Sequence, residues 1–255
     1  MFLEERQEQI LELLAANGKV LVKELAERFG VTEDSIRKDL GTLELDGKLK
    51  RTYGGAVAIR EKLHVMEANK RRTIDVEAKR KIAAAAFKMI KPSDMIYLDI
   101  STINIALAEL IVKSDSAFKV VTNMIDVLTL LSRNPKVDLI FVGGKLNQSR
   151  DGFCDGLATE MIGRLKPDIA FIGVVGVDVK DNAVSTYQIE DGICKAKVTS
   201  VSKKTYLIAE ARKFSTDGNY TFAHVDDFDG VITDTKPKTD VLRSLNERNV
   251  EIILP

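Results

Sequence analysis

The sequence contains few of the residues that build metal sites. Two cysteines and two histidines occur among its 255 residues. Cys154 and Cys194 stand forty positions apart, and His64 and His224 lie far from both. Because no familiar ligand spacing is present, we expect no metal, no cofactor, two small buried thiols and two ordinary histidines.

The sequence also lacks a long apolar run and an excess of charge of one sign. No apolar run approaches the roughly 18 to 20 residues that span a bilayer. The first residues lack the basic and then apolar pattern of a signal peptide. We therefore expect a cytoplasmic protein with reduced thiols and no membrane partner. The 38 basic residues balance the 38 acidic ones, so any contact with nucleic acid depends on a local patch.

The N-terminal part shows helical patterns separated by a tight turn. An amphipathic stripe ends near Gly18, residues 23–29 predict a second helix, and Gly30 permits the turn after it. Thr32 then caps a third helix, in which apolar residues recur at four and three positions on one face. The opposite face is left free, as in the second helix of a helix-turn-helix.

Two short β-prone runs follow and meet around Gly54-Gly55, which predicts a hairpin and therefore a winged helix. Six basic residues stand against three acidic ones between Ser35 and Arg60, so this surface is locally basic although the chain is neutral. The basic residues are Arg37, Lys38, Lys48, Lys50, Arg51 and Arg60. A protein-binding winged helix, or a three-helix packing module, is the alternative.

Several runs of this segment form one signature: Glu5-Arg6, Leu25 to Val31, Ser35 to Leu40, Leu43-Glu44 and Arg51 to Val57. They resemble the N-terminal signature of the DeoR family of bacterial transcription regulators. The resemblance implies a double-stranded DNA operator as the partner.

By this resemblance, three residues of the third helix contact the major groove and its flanking phosphates, namely Ser35, Arg37 and Lys38. The hairpin residues Lys48, Lys50 and Arg51 are expected to contact the DNA backbone. Ser35 and Lys38 stand where the family usually has Thr and Arg. Lysine lacks the planar two-pronged contact with guanine that arginine makes, so base preference at position 38 is expected to change.

The rest of the chain predicts an α/β fold. Residues 61–81 carry both charges without proline or glycine, which predicts a helical connector between a domain of residues 1–60 and one of residues 82–255. Strand and helix patterns alternate from Ile82, which is typical of a mainly parallel sheet covered by helices. The predicted strands lie near 95–99, 118–122, 137–142, 168–175, 205–209, 230–234 and 250–254, and the helices near 82–90, 103–113, 124–133, 156–165, 188–202 and 237–248.

In such sheets ligands bind beyond the carboxyl ends of the strands. Hydroxyl and amide groups at a helix start, with a lysine from another strand, suit a phosphate monoester. We therefore expect a phosphorylated small-molecule effector. The residues placed for it are Asp99, Ser101, Thr102, Asn123, Gly144, Lys145 and Lys213.

This second part resembles the effector domain of the DeoR family, which is similar in fold to ribose phosphate isomerase and CoA transferase domains. The resemblance implies that the domain senses a sugar phosphate or a related metabolite. The loop from Asp99 to Ile103 departs from the usual Asp-Ser-Gly-Thr-Thr, since it lacks the glycine and the last hydroxyl. The run from Glu210 to Phe214 replaces the usual Asp-x-Ser-Lys-Phe.

Three functions remain open at this point. The first is a repressor of a carbohydrate-metabolism operon, a homodimer or homotetramer that spans paired half-sites and is released by a phosphorylated sugar. The second is a sugar-phosphate isomerase-like enzyme, for which Asp99 is the candidate base. We expect no enzyme, because no histidine or cysteine lies near a candidate loop. The third is a regulator without metabolite control, or an activator.

Overall fold

The computed structural model describes residues 3–17, 19–58 and 72–255. The chain divides into two compact units, Met1–Glu67 and Ala68–Pro255. Gly18, Arg60 and residues 61–71 of the predicted connector lie outside the described residues, so the predicted limits at 60 and 81 stay predictions. No described helix is long and apolar enough to cross a membrane.

The first unit consists of three helices and a three-stranded sheet. The helices are α1 (Leu3–Asn17), α2 (Val22–Phe29) and α3 (Glu33–Leu45), and the strands are β1 (Lys19–Leu21), β2 (Leu49–Thr52) and β3 (Gly55–Ala58). The strands pair antiparallel in the order β1-β3-β2. The prediction of a winged helix-turn-helix is confirmed.

The turn between α2 and α3 follows from one glycine. Gly30 adopts a left-handed conformation with φ 64° and ψ 35°, which costs a residue without a side chain almost nothing. Its N–H and that of Val31 donate to the carbonyls of Glu27 and Ala26 at 3.4 and 3.1 Å. These bonds satisfy the last carbonyls of α2 and fix the direction in which the chain enters α3.

The apolar face predicted for α3 is the one that packs. Ile36, Leu40 and Leu43 are all buried, and they share a core with Ile10 and Leu14 of α1. Burial of each such side chain contributes about 1.5–3 kcal/mol. The remaining faces of α3 are thereby left toward solvent.

The second unit is built on a parallel sheet of seven strands. They are β4 (Met95–Leu98), β5 (Phe118–Thr122), β6 (Val137–Phe141), β7 (Ile169–Gly173), β10 (Thr205–Ile208), β12 (Gly230–Ile232) and β13 (Glu251–Ile253). Their spatial order is β13-β12-β10-β7-β4-β5-β6, and every pairing is parallel. The predicted α/β fold class is confirmed.

Six helices of the described residues accompany this sheet, and both of its faces are covered. They are α4 (Val76–Met89), α5 (Thr102–Lys113), α6 (Ile125–Leu131), α7 (Gly156–Gly163), α8 (Ile189–Val201) and α9 (Thr239–Glu247). Along β4, Ile96 and Leu98 join the core that contains α4, α5 and α6, whereas Tyr97 joins the core that contains α7, α8 and α9. The strands are therefore apolar on both faces, as buried parallel strands are.

Three further strands form a small antiparallel sheet in the order β11-β9-β8, which the sequence analysis did not predict. They are β8 (Gly176–Asp178), β9 (Ala183–Thr186) and β11 (Tyr220–Ala223). Each has three or four residues, which is too short for an alternating pattern to stand out. Val177, Val184 and Phe222 place this sheet against the α8 side of the main sheet.

Candidate DNA-binding surface and effector cleft

The three predicted groove residues lie on α3, clear of the core. Thr32 caps the helix, since its hydroxyl accepts the Ser35 N–H at 3.3 Å and lies 2.9 Å from the Ser35 hydroxyl. Arg37 and Lys38 follow on the exposed side of the first two turns. The N-terminal half of α3 therefore presents a hydroxyl and two cations, groups that can bind base edges and phosphates.

Arg37 is held by the first turn of its own helix. Its guanidinium contacts Glu33 at 2.6 Å and Asp34 at 2.7 Å. Exposed pairs at these spacings are worth about 0.3–0.5 kcal/mol each, whereas a good two-pronged contact with a base is worth roughly 1–3 kcal/mol. A base contact can therefore replace both pairs.

The wing carries the remaining predicted DNA contacts. Lys48, Lys50 and Arg51 are exposed, and Lys48 lies 3.6 Å from Asp46. Arg51 is fixed by Glu44, which accepts its backbone N–H at 2.8 Å and its Nε–H at 2.9 Å. These hydrogen bonds, the backbone one first, lower the pKa of Glu44. The wing is thereby fastened to the C-terminal end of α3.

A buried ion pair between α1 and α3 fixes the orientation of α3. Asp39 accepts two hydrogen bonds from the Arg6 guanidinium, at 2.6 and 3.2 Å, and only 3% of the Asp39 side chain is exposed. The hydrogen bond to Asp39 raises the pKa of Arg6. The sequence analysis named both residues within the family signature without pairing them.

The predicted effector residues lie beyond the carboxyl ends of four strands. Asp99, Ser101 and Thr102 follow β4, Asn123 follows β5, Gly144 and Lys145 follow β6, and Lys213 follows β10. Strands β4, β5 and β6 are neighbours in the sheet, so their loops share one edge. We call this edge the cleft.

Asp99 is buried, and both of its oxygens are bound within the protein. Oδ1 accepts the Gly173 N–H and the Asn104 amide, each at 3.0 Å, and Oδ2 pairs with the Lys195 ammonium from α8. Asp191 lies on the other side of Lys195, 3.5 Å away, and accepts the Thr186 hydroxyl at 2.7 Å. Asp99 therefore joins three segments of the cleft wall.

Burial and charge act in opposite directions on this pair. Burial raises the pKa of Asp99 to about 6, although Lys195 and the Gly173 N–H act to lower it. Burial also acts to lower the pKa of Lys195, but Asp191 and Asp99 outweigh it and raise this pKa. At neutral pH the two groups form an ionised pair.

The loop after β4 has isoleucine at positions 100 and 103, where the usual family motif has hydroxyl residues, and both isoleucines make apolar contacts. Ile103 is buried between the sheet and its helices, and Ile100 packs on Gly152, where an added Cβ would lie 2.4 Å from its side chain. Ser101 caps α5 by accepting the Ile103 N–H at 3.3 Å. Ser101 and Thr102 remain as the partly exposed hydroxyl residues of the loop.

The next two loops contain Asn123, Gly144 and Lys145. The Asn123 amide donates to the Phe153 carbonyl at 2.9 Å, while its oxygen is buried without a hydrogen-bond partner. Gly144 and Lys145 are exposed. Backbone N–H groups, that of Ala158 first and that of Lys145 among the others, lower the pKa of Asp155, the cap of α7.

Lys213 belongs to a second group of charges beyond β10. It lies in a short 3-10 helix, Ala211–Ser215, directly after the buried Glu210. Burial acts to raise the pKa of Glu210, but Lys213, a backbone hydrogen bond, Arg212 and Lys79 lower it overall. Arg212, the charge added relative to the family motif, lies 3.2 Å from Glu210 and 3.0 Å from Asp75. Its charge is balanced within the protein.

Both cysteines are buried and free, and no group of three or more histidine, cysteine or acidic side chains in the described ranges is placed to hold a metal. Cys194 lies 3.3 Å from the Thr159 hydroxyl, and Cys154 accepts the Asn123 amide at 3.6 Å. The two thiols serve as packed side chains between α7, α8 and the cleft.

Comparison with known families shows the class of protein to which the chain belongs. The model of the DeoR-like helix-turn-helix domain matches residues 6–62, and that of the DeoR C terminal sensor domain matches residues 74–235. The chain belongs to the DeoR family. This DeoR-family chain is therefore a DNA-binding transcriptional regulator, as its first unit indicated.

Two relatives and one solved structure illustrate the similarity. The chain is 31% identical over 255 residues to an uncharacterized HTH-type transcriptional regulator, YulB, of Bacillus subtilis, covering 99% of this chain and 96% of the relative. It is 27% identical over 251 residues to the glycerol-3-phosphate regulon repressor of Escherichia coli K12, covering 98% of each. Ribose 5-phosphate isomerase A of Neisseria gonorrhoeae aligns with 53% of the chain and 52% of its own, at 15% identity and a TM-score of 0.39.

In this DeoR-family regulator, the sequence analysis gave no role to Lys195, Asp191 or Tyr53. Asp191 and Lys195 are spaced by four residues on α8, and this spacing is a sequence signal for a salt bridge. The same spacing gives no signal for Asp99, which pairs with Lys195 from 96 positions away. Tyr53 is fully exposed at the turn of the wing. An aromatic residue beside a predicted hairpin glycine was the available signal.

Proposed function

We propose that this regulator represses a carbohydrate-metabolism operon and releases its operator when a phosphorylated sugar or polyol binds the cleft. It acts as a homo-oligomer, because two copies of α3 are needed to read paired half-sites. The observation that carries this proposal is the exposed basic surface of α3 and the wing on a regulator whose second unit matches a sensor domain.

The DNA contacts divide into base readers and backbone contacts. Arg37 is proposed to read a base, with Ser35 and Lys38 beside it. Lys48, Lys50 and Arg51 are proposed to contact phosphates. Tyr53, at the turn of the wing, is proposed to lie against the DNA backbone next to the phosphates that the wing contacts. Affinity is expected to come largely from the phosphate contacts, as in most protein–DNA complexes.

The test is gel-shift titration of the full chain against operator and scrambled DNA. Arg37→Ala is expected to cost roughly 1–3 kcal/mol on the operator and little on scrambled DNA, whereas Lys50→Ala weakens both equally. Lys91→Ala, an exposed basic residue of the second unit, is the control. Equal losses on both DNAs for Arg37→Ala would contradict its role as a base reader.

For the effector, the proposed ligand groups are Ser101, Thr102, Asn123, Lys145 and Lys213, together with the backbone at Gly144. Asp99 is proposed to position the loop through Gly173 and Lys195, since both of its oxygens are engaged. One relative is named a repressor of a glycerol-3-phosphate regulon, which supports a small phosphorylated polyol or sugar as the ligand class.

Thermal-shift measurement with phosphorylated sugars, sugar acids and polyols tests this ligand class. A ligand at 100 times its Kd raises the free energy of unfolding by about 2.7 kcal/mol. This raises Tm by roughly 5–10 °C for a unit of this size. Lys213→Ala is expected to abolish the shift. Lys203→Ala is the control and is expected to leave the shift intact. Lys203 lies just before β10, and its ammonium pairs with Asp168. A library without any shift would favour a regulator that has lost metabolite control.

We propose no isomerase activity for the cleft. The carboxylate of Asp99, the candidate base, is paired with Lys195 and hydrogen-bonded to Gly173 and Asn104. A base needs an oxygen within reach of the substrate proton. Turnover of a sugar phosphate that Asp99→Asn abolishes would overturn this view.

A further inference from the structure

The neighbouring helices α7 and α8 each expose two large apolar side chains. Leu157 and Met161 of α7 are 68% and 36% exposed, and Ile189 and Ile193 of α8 are 56% and 44% exposed. Each pair is spaced by four residues, so each forms a stripe on one helix face. Large apolar side chains that recur on an exposed helix face mark an interaction site more often than scattered single residues do.

The two helices run side by side in the same direction. Cys154 Sγ lies 3.9 Å from the Asp191 carboxylate, and farther along the Thr159 hydroxyl lies 3.3 Å from Cys194 Sγ. A Cβ added at Gly163 would lie 3.6 Å from the side chain of Lys197. Residue numbers thus rise together on both helices, and a groove of about 540 Å³ follows them.

This surface has one acidic end and one basic end. Glu190 lies at the start of α8, beside the start of α7, whereas Lys197 and Arg164 lie at the other end of the groove. Lys197 follows Glu190 by seven positions on the same helix, a rise of roughly 10 Å along the axis. Arg164 pairs with Glu160 of its own helix at 2.7 Å, and the described residues show no ion pair for Glu190 or Lys197.

We propose that this face, defined by Leu157, Met161, Ile189 and Ile193 with Glu190 and Lys197, is the surface through which two copies of the chain associate. A two-fold axis perpendicular to the helices sets each acidic end against the partner's basic end and buries the apolar stripes between them. A self-complementary surface of this kind fits a second copy. The inference rests on the proposed homo-oligomeric regulator and names its interface.

Sedimentation velocity of the full chain tests the apolar part. The wild type is expected to be a dimer or larger at micromolar concentration, and Leu157→Asp or Ile193→Asp is expected to weaken association at least tenfold. Both side chains are exposed, so the Tm of each variant should stay near that of the wild type. Val112→Asp is the matched control, because Val112 is 40% exposed on α5, outside this face.

A charge exchange tests the antiparallel arrangement. Glu190→Lys alone sets two lysines against each other in every pair, and Lys197→Glu alone sets two glutamates against each other, so each is expected to weaken self-association. An equimolar mixture of the two variants restores both ion pairs in a mixed dimer. Single variants that weaken association without recovery in the mixture would overturn the arrangement.

The remaining outcomes separate the interface from the proposed function. A monomeric wild type, or oligomers unchanged in Leu157→Asp and Ile193→Asp, would overturn the interface, even if gel shifts still show specific operator binding. Conversely, an oligomer that these variants dissociate supports the interface even if no operator is bound, in which case only the proposed function fails. A changed Tm at constant monomeric mass would show that the face is covered from within the chain.

Discussion

At the scale of single residues, two buried ion pairs hold the parts that must stay in register. Arg6 and Asp39 join α1 to α3, and 13% and 3% of their side chains are exposed. Removal of one partner leaves a buried charge without compensation, so Asp39→Ala is expected to lower the free energy of unfolding by about 3 kcal/mol. Urea denaturation followed by circular dichroism measures the loss.

Asp34→Ala is the matched control on the same helix. Asp34 also pairs with an arginine, but 83% of its side chain is exposed, so its removal should change stability by less than about 0.5 kcal/mol. Equal effects of the two substitutions would show that burial does not set the strength of the Arg6 pair.

The Asp99–Lys195 pair gives a pH-dependent prediction. Lys195→Met leaves the Asp99 carboxylate buried without its cation and should cost about 3–5 kcal/mol at pH 8, whereas adding Asp99→Asn recovers most of the loss. Even in the wild type the pKa of Asp99 is raised from 3.8 to about 6, and without Lys195 it rises further. The folded variant therefore binds a proton more tightly than the unfolded chain does, and its deficit should shrink as pH falls from 8 to 5.

Thermal or urea unfolding at both pH values, on the wild type, Lys195→Met, Asp99→Asn and the double variant, measures this effect. A deficit that grows toward low pH, or a double variant as unstable as the sum of the single ones, would contradict the ionised pair.

At the scale of elements, glycines decide how closely the pieces of the winged helix approach. A Cβ at Gly55 would lie 2.0 Å from the Val20 carbonyl oxygen of β1, whereas one at Gly30 would meet no atom within 4 Å. Gly30→Ala should therefore cost about 1–2 kcal/mol through its left-handed backbone alone. Gly55→Ala should cost more, because β1 must move away from β3.

Gly41→Ala gives the opposite sign and serves as the control. Gly41 lies inside α3, and its added Cβ would meet the Arg51 guanidinium at an ordinary 3.6 Å. Alanine should stabilise the helix by about 0.5–1 kcal/mol. Urea midpoints of the three variants should rank Gly41→Ala above the wild type, then Gly30→Ala, then Gly55→Ala; any other order would refute the steric account.

At the scale of the whole molecule, the proposed homo-oligomer brings two copies of a small basic surface, each on a chain of zero net charge, to one operator. Each phosphate contact contributes about −0.9 to the slope of log affinity against log salt concentration. A variant reduced to monomers, such as Leu157→Asp, is expected to show about half the wild-type slope on operator DNA. Fluorescence anisotropy across a salt series measures it, and an unchanged slope would mean that one copy makes all the contacts.

Local patterns were enough to predict most of the elements. The positions of all seven parallel strands and of most helices followed from runs of apolar residues bounded by turn residues, and α3 followed from Gly30, Thr32 and its apolar stripe. The exception is α4, which begins at Val76 and not near the predicted residue 82. The short strands β8, β9 and β11 escaped because each has only three or four residues. In addition, β11 lies 34 positions after β9, and pairing at that distance leaves no local trace.

The sequence by itself determined the winged helix, the parallel sheet and the candidate loops at its edge, because periodicity and turn chemistry act over a few residues. Only the tertiary structure decided which side chains meet there: that Asp99 is bound by Lys195, that Asp39 is bound by Arg6, and that Ile103 packs in the core. These contacts join segments that are distant in the chain, and burial fixes their strength. Burial is a property of the folded chain, which no local pattern contains.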